Sequence, residues 1–540
     1  MKLALTAALA LALAAPANAA RFAVGLEPGA DPDAVANRLD GRVTREHLAL
    51  GALTLTAHAP GRAAAVPGVA YVERLDVPRR LAFTPTDPLA VRQWYLEQVR
   101  AFAAWEAPPP LVGPLVAVVD SGIDGDHPEF RDRIAEARSF VGGKATKDRH
   151  GHGTFVAGLI AAAHDGRGIA GVAFPSRLLV AKVVRPDGTV SLEAEVAAIR
   201  WAVEAGARVI NLSLGGVRDP LNPERDTFSP LEAAAVDYAV ARGVVVVAAV
   251  GNADQAPVRP WPFASYPAAL PHVIGVSAVA RDGSVPDFSD RDRIYNDLAA
   301  PGQEMLSTFP RSLGRAGCAA PGYSDCGPEE YRRAEGTSFA APQVTAAAAL
   351  LLAVRPELTA DQVAFALTRT AVDANPSTGC RACWPGRDPL SGWGRLDVAS
   401  AVSLVASGRV PRPDRLETND DAGLRARTLW GARGGRVEAS IDFWDDQSDV
   451  YRIRLKGGQR LFAALAATPG TKLHLWRPRT PTVEGLSLRV QGMRLLQSRY
   501  RATQERLSYR VPRGKGGWYY VQVKLGSPGN GTYVFSYAKR

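Results

Sequence analysis

Leu115-Val116-Ala117-Val118-Val119-Asp120-Ser121-Gly122-Ile123 is an unbroken apolar run that ends on a carboxylate. A run without polar alternation marks a strand covered on both faces. Leu178-Leu179-Val180-Ala181, Val209-Ile210-Asn211-Leu212 and Val244-Val245-Val246-Val247-Ala248-Ala249 repeat the mark. Helical stretches lie between them, including Leu192 to Gly206 and Leu231 to Arg242. Strand alternating with helix predicts an α/β domain with a doubly wound, mostly parallel sheet over residues 81–408. Ligands bind such sheets beyond the carboxyl ends of the strands.

The flanks have a different texture. Arg21-Phe22-Ala23-Val24, Leu53-Thr54-Leu55-Thr56 and Val69-Ala70-Tyr71-Val72 read as strands and Asp33 to Leu39 as a helix, a small α+β unit over residues 20–80. Pro78-Arg79-Arg80 and Thr84-Pro85-Thr86-Asp87-Pro88 read as a linker. After Pro411-Arg412-Pro413, short alternating runs such as Asp449-Val450-Tyr451-Arg452-Ile453-Arg454-Leu455 and Trp518-Tyr519-Tyr520-Val521-Gln522-Val523 predict an antiparallel β-sandwich over residues 413–540.

Apolar residues make up 46% of the 540, which excludes wholesale disorder, and the scattered Gly and Pro exclude collagen. The net charge of +10 is unevenly spread. Residues 413–540 hold 23 basic and 11 acidic side chains, so the rest of the chain is slightly acidic. A nucleic-acid partner is therefore not expected, whereas the C-terminal segment suits an anionic surface polymer. Residues 1–19 read as a signal peptide: Lys2, the apolar Leu3 to Ala15, then Ala17-Asn18-Ala19 as the cleavage site. The expected location is secreted, extracellular or periplasmic, with no transmembrane segment. In an oxidising compartment Cys318, Cys326, Cys380 and Cys383 favour two disulfides, with three pairings open and the sequence-local one preferred. A zinc or redox reading of Cys380-x-x-Cys383 lacks a second such pair.

Three polar segments interrupt the apolar pattern. Asp120 ends a buried strand, where a carboxylate is costly unless paired. His150-Gly151-His152-Gly153-Thr154 opens an apolar helix, and Gly336-Thr337-Ser338-Phe339-Ala340 opens an Ala-rich one. A serine hydroxyl needs a base, and a histidine base needs a partner that fixes its tautomer. Together the segments resemble the motif blocks of the subtilisin-like serine proteases, the subtilase family, in the order Asp, His, Ser. The resemblance implies an endopeptidase with Asp120, His152 and Ser338 as its triad, His150 being a neighbour. Ala248-Ala249-Val250-Gly251-Asn252 resembles the block that carries the oxyanion-hole asparagine, here Asn252. Ser213-Leu214-Gly215-Gly216 resembles the segment that pairs with substrate backbone, for protein and peptide substrates. Ala253 brings no acid where some relatives have one, so large apolar or aromatic residues are expected before the scissile bond.

Two positions depart from the family pattern: Phe155 where His is usual, and Phe339 where Met is common. The N-terminal unit resembles an inhibitory propeptide, itself a partner of the enzyme, with self-cleavage expected between Val77 and Pro85. The C-terminal unit resembles the prepeptidase C-terminal domain. No cofactor is implied for the chemistry. Structural calcium is a family habit, and Asp87 and Glu129 fall near positions that relatives use. The His164-Asp165-Gly166-Arg167-Gly168 loop looks short for it, however, and the two acids read better as ordinary surface groups. An α/β-hydrolase esterase would need Gly-x-Ser-x-Gly around Ser338 and the order Ser, Asp, His. The remaining alternative is an inactive binding or adhesion protein on a protease scaffold.

Overall fold

The computed structural model describes the chain apart from residues 1–19, 58–65, 76–84, 106–111, 254–255, 314–322, 326–329, 411–415, 417–418, 424, 443–446, 484–487, 502–503 and 527–529. The signal segment, most of the expected self-cleavage region, Cys318 and Cys326 lie outside the described residues. The chain divides into two compact units, residues 1–81 and 82–540.

In the first unit, β1 (Ala20–Leu26), β2 (Arg42–His47), β3 (Ala52–Ala57) and β4 (Val69–Arg74) form an antiparallel sheet in the order β2-β3-β1-β4. Helix α1 (Pro32–Arg38) starts at Asp31, whose side chain accepts from the Asp33 N–H. Val24, Val35, Leu53 and Leu55 make its core. The sequence pattern missed β2 because Arg42-Val43-Thr44-Arg45-Glu46-His47 is mostly exposed and carries no apolar stripe.

The second unit opens with two short helices, α2 (Trp94–Gln98) and α3 (Ala101–Trp105). Its main sheet contains β5 (Leu115–Asp120), β6 (Ile134–Ser139), β7 (Arg177–Lys182), β8 (Val209–Leu212), β9 (Val245–Ala249), β10 (Val273–Val279) and β11 (Leu298–Pro301). All pairs are parallel, in the order β11-β10-β9-β8-β5-β7-β6. The chain builds β6 and β7 on one side of β5 and β8 to β11 on the other, so the direction of growth reverses at β5. The apolar runs are explained by helices on both faces. Val116 and Val118 face one core with α4 (His152–Ala161), while Ala117 and Val119 face the other with α5 (Leu192–Glu204) and α6 (Pro230–Val240).

A small antiparallel sheet, β12 (Met305–Thr308), β13 (Tyr323–Asp325) and β14 (Tyr331–Ala334), lies before α7 (Thr337–Val354). Helix α7 is long and apolar enough to cross a membrane, yet 83% of its length is buried, and it packs against β8, β9, β10 and α4. Helices α8 (Ala360–Arg369) and α9 (Val398–Ala406) follow. The Cys380 and Cys383 sulfurs are at bonding distance, 1.97 Å.

The C-terminal part is a sandwich of two five-stranded sheets. The first holds β15 (Arg427–Leu429), β17 (Ser448–Leu455), β19 (Thr471–Trp476), β20 (Arg494–Gln497) and β23 (Gly517–Leu525). The second holds β16 (Gly434–Asp442), β18 (Arg460–Ala466), β21 (Arg499–Arg501), β22 (Gln504–Arg510) and β24 (Asn530–Lys539). Pairing is antiparallel apart from β15 with β17. Tyr451, Ile453, Val521, Tyr533 and Phe535 fill the space between the sheets.

Candidate active site

Asp120 is the last residue of β5, at the carboxyl edge where the sheet changes its direction of growth. It is 2% exposed, and an ionised carboxylate at that depth needs donors. The Ser121 N–H bonds its Oδ1, and His152 Nδ1 lies 2.9 Å from both oxygens. His152 starts α4, so its ring stands where the helix meets β5. That approach depends on Gly153: a Cβ there would lie 2.2 Å from the Gly122 carbonyl oxygen and 3.1 Å from Asp120 Oδ1.

Asp148 holds this junction, and the sequence reading passed over it. Its Oδ1 accepts from Ser121 Oγ and from the His150 and Gly151 N–H groups. Its Oδ2 accepts from the Thr154 N–H and hydroxyl. Burial alone would raise the carboxyl, but these donors keep Asp148 below the ordinary carboxylate range. Ser121 Oγ accepts in turn from the Gly153 N–H, which links the Asp120 loop to α4. Burial of His152 opposes its protonation, yet the Asp120 and Asp148 carboxylates outweigh that and hold its pKa above the usual value. The only sequence hint at Asp148 was a charged residue four positions before the Gly-flanked His152.

Ser338 is the second residue of α7, where backbone N–H groups lack intrahelical partners. Its hydroxyl donates to the Ser213 carbonyl at 3.2 Å, and Ser213 Oγ donates back to the Ser338 carbonyl at 2.7 Å. Among the described residues, the Ser338 hydroxyl and His152 are not hydrogen-bonded to each other, though both line one cleft of about 290 Å³. Asp120, Ser213, Leu214, Gly215, Asn252 and Thr337 line it too. Asn252 Oδ1 accepts from the Thr337 N–H and hydroxyl, which leaves its amide nitrogen to donate.

Gly215 and Gly216 let the backbone pack closely here. A Cβ on Gly215 would lie 2.2 Å from the Tyr266 carbonyl oxygen, and one on Gly216 would lie 2.3 Å from Thr227 Oγ1. Gly216 exchanges both backbone hydrogen bonds with Tyr266, so the glycines let segment 213–216 close on its neighbours. Behind Ser265, which also lines the cleft, sits the buried Asp290, pushed up to about 8 by burial.

Asp87 and Glu129 are not surface groups, since each is 2% exposed. Asp87 Oδ1 accepts from the Asp165 and Gly166 N–H groups. Glu129 Oε1 accepts from the Ile169 N–H and the Tyr331 hydroxyl. Their other oxygens, Oδ2 and Oε2, are buried without a hydrogen-bond partner among the described residues. Two orphaned carboxylate oxygens beside the 165–168 loop fit a hard, oxygen-seeking cation.

The two departures from the family pattern turn out to touch. Phe155 and Phe339 have ring centroids 4.4 Å apart, and the Phe339 ring lies 5.4 Å from that of His152.

A buried Asp–His pair and a helix-borne serine in one cleft of a parallel sheet define a serine hydrolase of the α/β class. A family model described as "Subtilase family" matches residues 112–394, more than half of the chain, and the protein belongs to that family. It is 38% identical to the major intracellular serine protease of Bacillus subtilis (strain 168) over 45% of this chain and 69% of that protein. It is 35% identical to subtilisin DY of Bacillus licheniformis over 48% of this chain and 85% of that protein. For thermitase of Thermoactinomyces vulgaris the figures are 32%, 50% and 85%. The chain is a subtilisin-like serine endopeptidase.

With an aromatic ring at 339, no oxidisable thioether follows Ser338. Peroxide that progressively inactivates a Phe339→Met variant is expected to leave the parent's caseinolytic activity largely intact. Equal loss in both would refute this.

Proposed function

We propose that Ser338 is the nucleophile, His152 its general base and then acid, and Asp120 the group that fixes the His152 tautomer. The observation that carries this reading is His152 Nδ1 held 2.9 Å from both Asp120 oxygens, in the cleft that Ser338 also lines. With Nδ1 so engaged, Nε2 is the nitrogen free to take a proton. An extended substrate running along Ser213 to Gly215 competes for the Ser213 carbonyl, and the Ser338 hydroxyl then turns to His152. Its oxygen attacks the scissile carbonyl carbon as the proton passes to His152. The Asn252 amide and the Ser338 N–H donate to the resulting oxyanion. His152 returns the proton to the leaving amine, and water then resolves the acyl-enzyme by the same route in reverse.

Casein hydrolysis is expected to be blocked by a serine-directed inhibitor and to fall by roughly a million-fold in kcat in Ser338→Ala. Asn252→Ala is expected to cost about 10²–10³ in kcat with KM little changed, a magnitude that comes from a subtilisin. Normal turnover in Ser338→Ala would leave the inactive-scaffold reading standing.

His152 must be neutral to act as a base, and two carboxylates hold its pKa up. The acid limb of kcat/KM is therefore expected above the ordinary histidine range, rising as His152 loses its proton. In Asp148→Asn that limb should move to lower pH, and the melting temperature should fall as buried donors lose their acceptor. A limb that stays in place would separate Asp148 from the electrostatics of the base.

For specificity, we infer a preference for large apolar or aromatic residues before the scissile bond. Leu214, Val184, Val190 and Val217 line the cleft, and Asp120 is the one carboxylate among its described lining residues. Asp290 stays protonated near neutral pH, so it offers no charge to Lys or Arg. A peptide-library profile at pH 7 dominated by basic residues there would overturn this reading.

The flanking roles are proposed on similar terms. Residues 1–19 direct export, and residues 20–80 act as an inhibitory propeptide removed between Val77 and Pro85. Its self-contained sheet supports this, and the N-terminal sequence of the active protein tests it. Asp87 and Glu129 would hold a structural calcium ion, detectable as a fall in melting temperature on chelation. The basic sandwich would dock on anionic polymer. Trp430, 79% exposed, lies edge-on to Trp518, which Arg452 and Arg454 flank. Such a surface suits acidic polysaccharide, and binding unaffected by salt would count against it.

A further inference from the structure

Away from the cleft, three ligand-type side chains from three separate elements meet where the sandwich joins the protease fold. His272 lies in the turn before β10, Asp361 in the first turn of α8, and Asp420 in the stretch that leads to β15. His272 Nδ1 is 3.8 Å from Asp361 Oδ1 and 3.7 Å from Asp420 Oδ2. One ligand atom from each of the three residues lies within 4.8 Å of the other two.

These separations are too long for N–H···O hydrogen bonds, which run about 2.7–3.2 Å. They approach the ~3.3 Å between ligands on a tetrahedral ion with ~2.0–2.1 Å bonds. The His272 side chain is 11% exposed and makes no hydrogen bond of normal length among the described residues. A cavity of about 190 Å³ is lined by the same three side chains, with room for water to complete a coordination shell.

We propose that His272, Asp361 and Asp420 bind a divalent transition-metal ion of the zinc type, which fastens the C-terminal sandwich to the protease domain. The donor set selects the metal. Calcium and magnesium prefer all-oxygen sites, whereas an imidazole nitrogen with carboxylates suits zinc. Two ligands come from the protease fold and one from the approach to the sandwich. The ion would therefore bind the joined form more tightly than the parted one, and so would stabilise the joint.

The test uses the full chain carrying Ser338→Ala, to prevent self-digestion, with calcium in excess to occupy the Asp87 and Glu129 position. Equilibrium dialysis against zinc chloride should give one more equivalent of zinc than the same protein with Asp361→Asn or Asp420→Asn. The variants' affinity at that site should fall at least ten-fold. Zinc should also raise the melting temperature of the parent and slow its cleavage by an added protease between residues 409 and 418, with neither effect in the variants. The two aspartates are chosen because His272 sits at φ +63, where replacement risks the turn itself. Equal zinc stoichiometry in parent and variants, or no zinc bound by the parent, overturns the proposal.

Discussion

Asp120 sets the terms for everything around it. A carboxylate at the end of a central strand, almost wholly out of water, can stay ionised only if donors are built to meet it. Meeting it requires the tip of α4 to come within hydrogen-bond reach of β5, which explains both the side-chain-free residue after His152 and the loop that Asp148 ties down. The imidazole is thus oriented by a contact that the fold needs for its own sake. Under the proposed mechanism, stability and catalysis share one constraint, since meeting the buried charge also aims the base.

The serine side is organised differently. Ser338 enters on a buried helix that touches five strands of the sheet, so its backbone is fixed while its hydroxyl can still turn. In the free protein that hydroxyl rests on Ser213, and Ser213 leans back on Ser338. Segment 213–216 and the tip of α7 are therefore joined to each other. In the mechanism proposed above, a peptide that competes for the Ser213 carbonyl would link recognition to activation.

Much of this could be read from the residues alone. The parallel sheet was legible because strands covered on both faces lose their polar alternation, and four such runs are hard to mistake. Asp120, His152, Ser338 and Asn252, which the structure brings to one cleft, stood out because each breaks or ends an apolar element with a chemically loaded side chain. What escaped was information carried by distant pairing. Strand β2 is polar and is recognisable only beside β3. The pairing of Gly216 with Tyr266, fifty positions further on, leaves no local mark. Asp87 and Glu129 looked like ordinary surface acids because nothing nearby in the chain announces the loop that covers them. Asp148 sits in a run of charged residues, and only its five donors set it apart.

The contact between Phe155 and Phe339 changes how those two positions should be understood. Taken one at a time, each is an oddity; together they are a single packing solution, worth about 0.5–1.5 kcal/mol beyond the area they bury. Coupled sites of this kind do not contribute additively. Replacing either ring alone would leave a void or a clash beside His152. A chimera that borrows one of the two helices from a relative would inherit half of the arrangement, and the mismatch would fall on the catalytic imidazole.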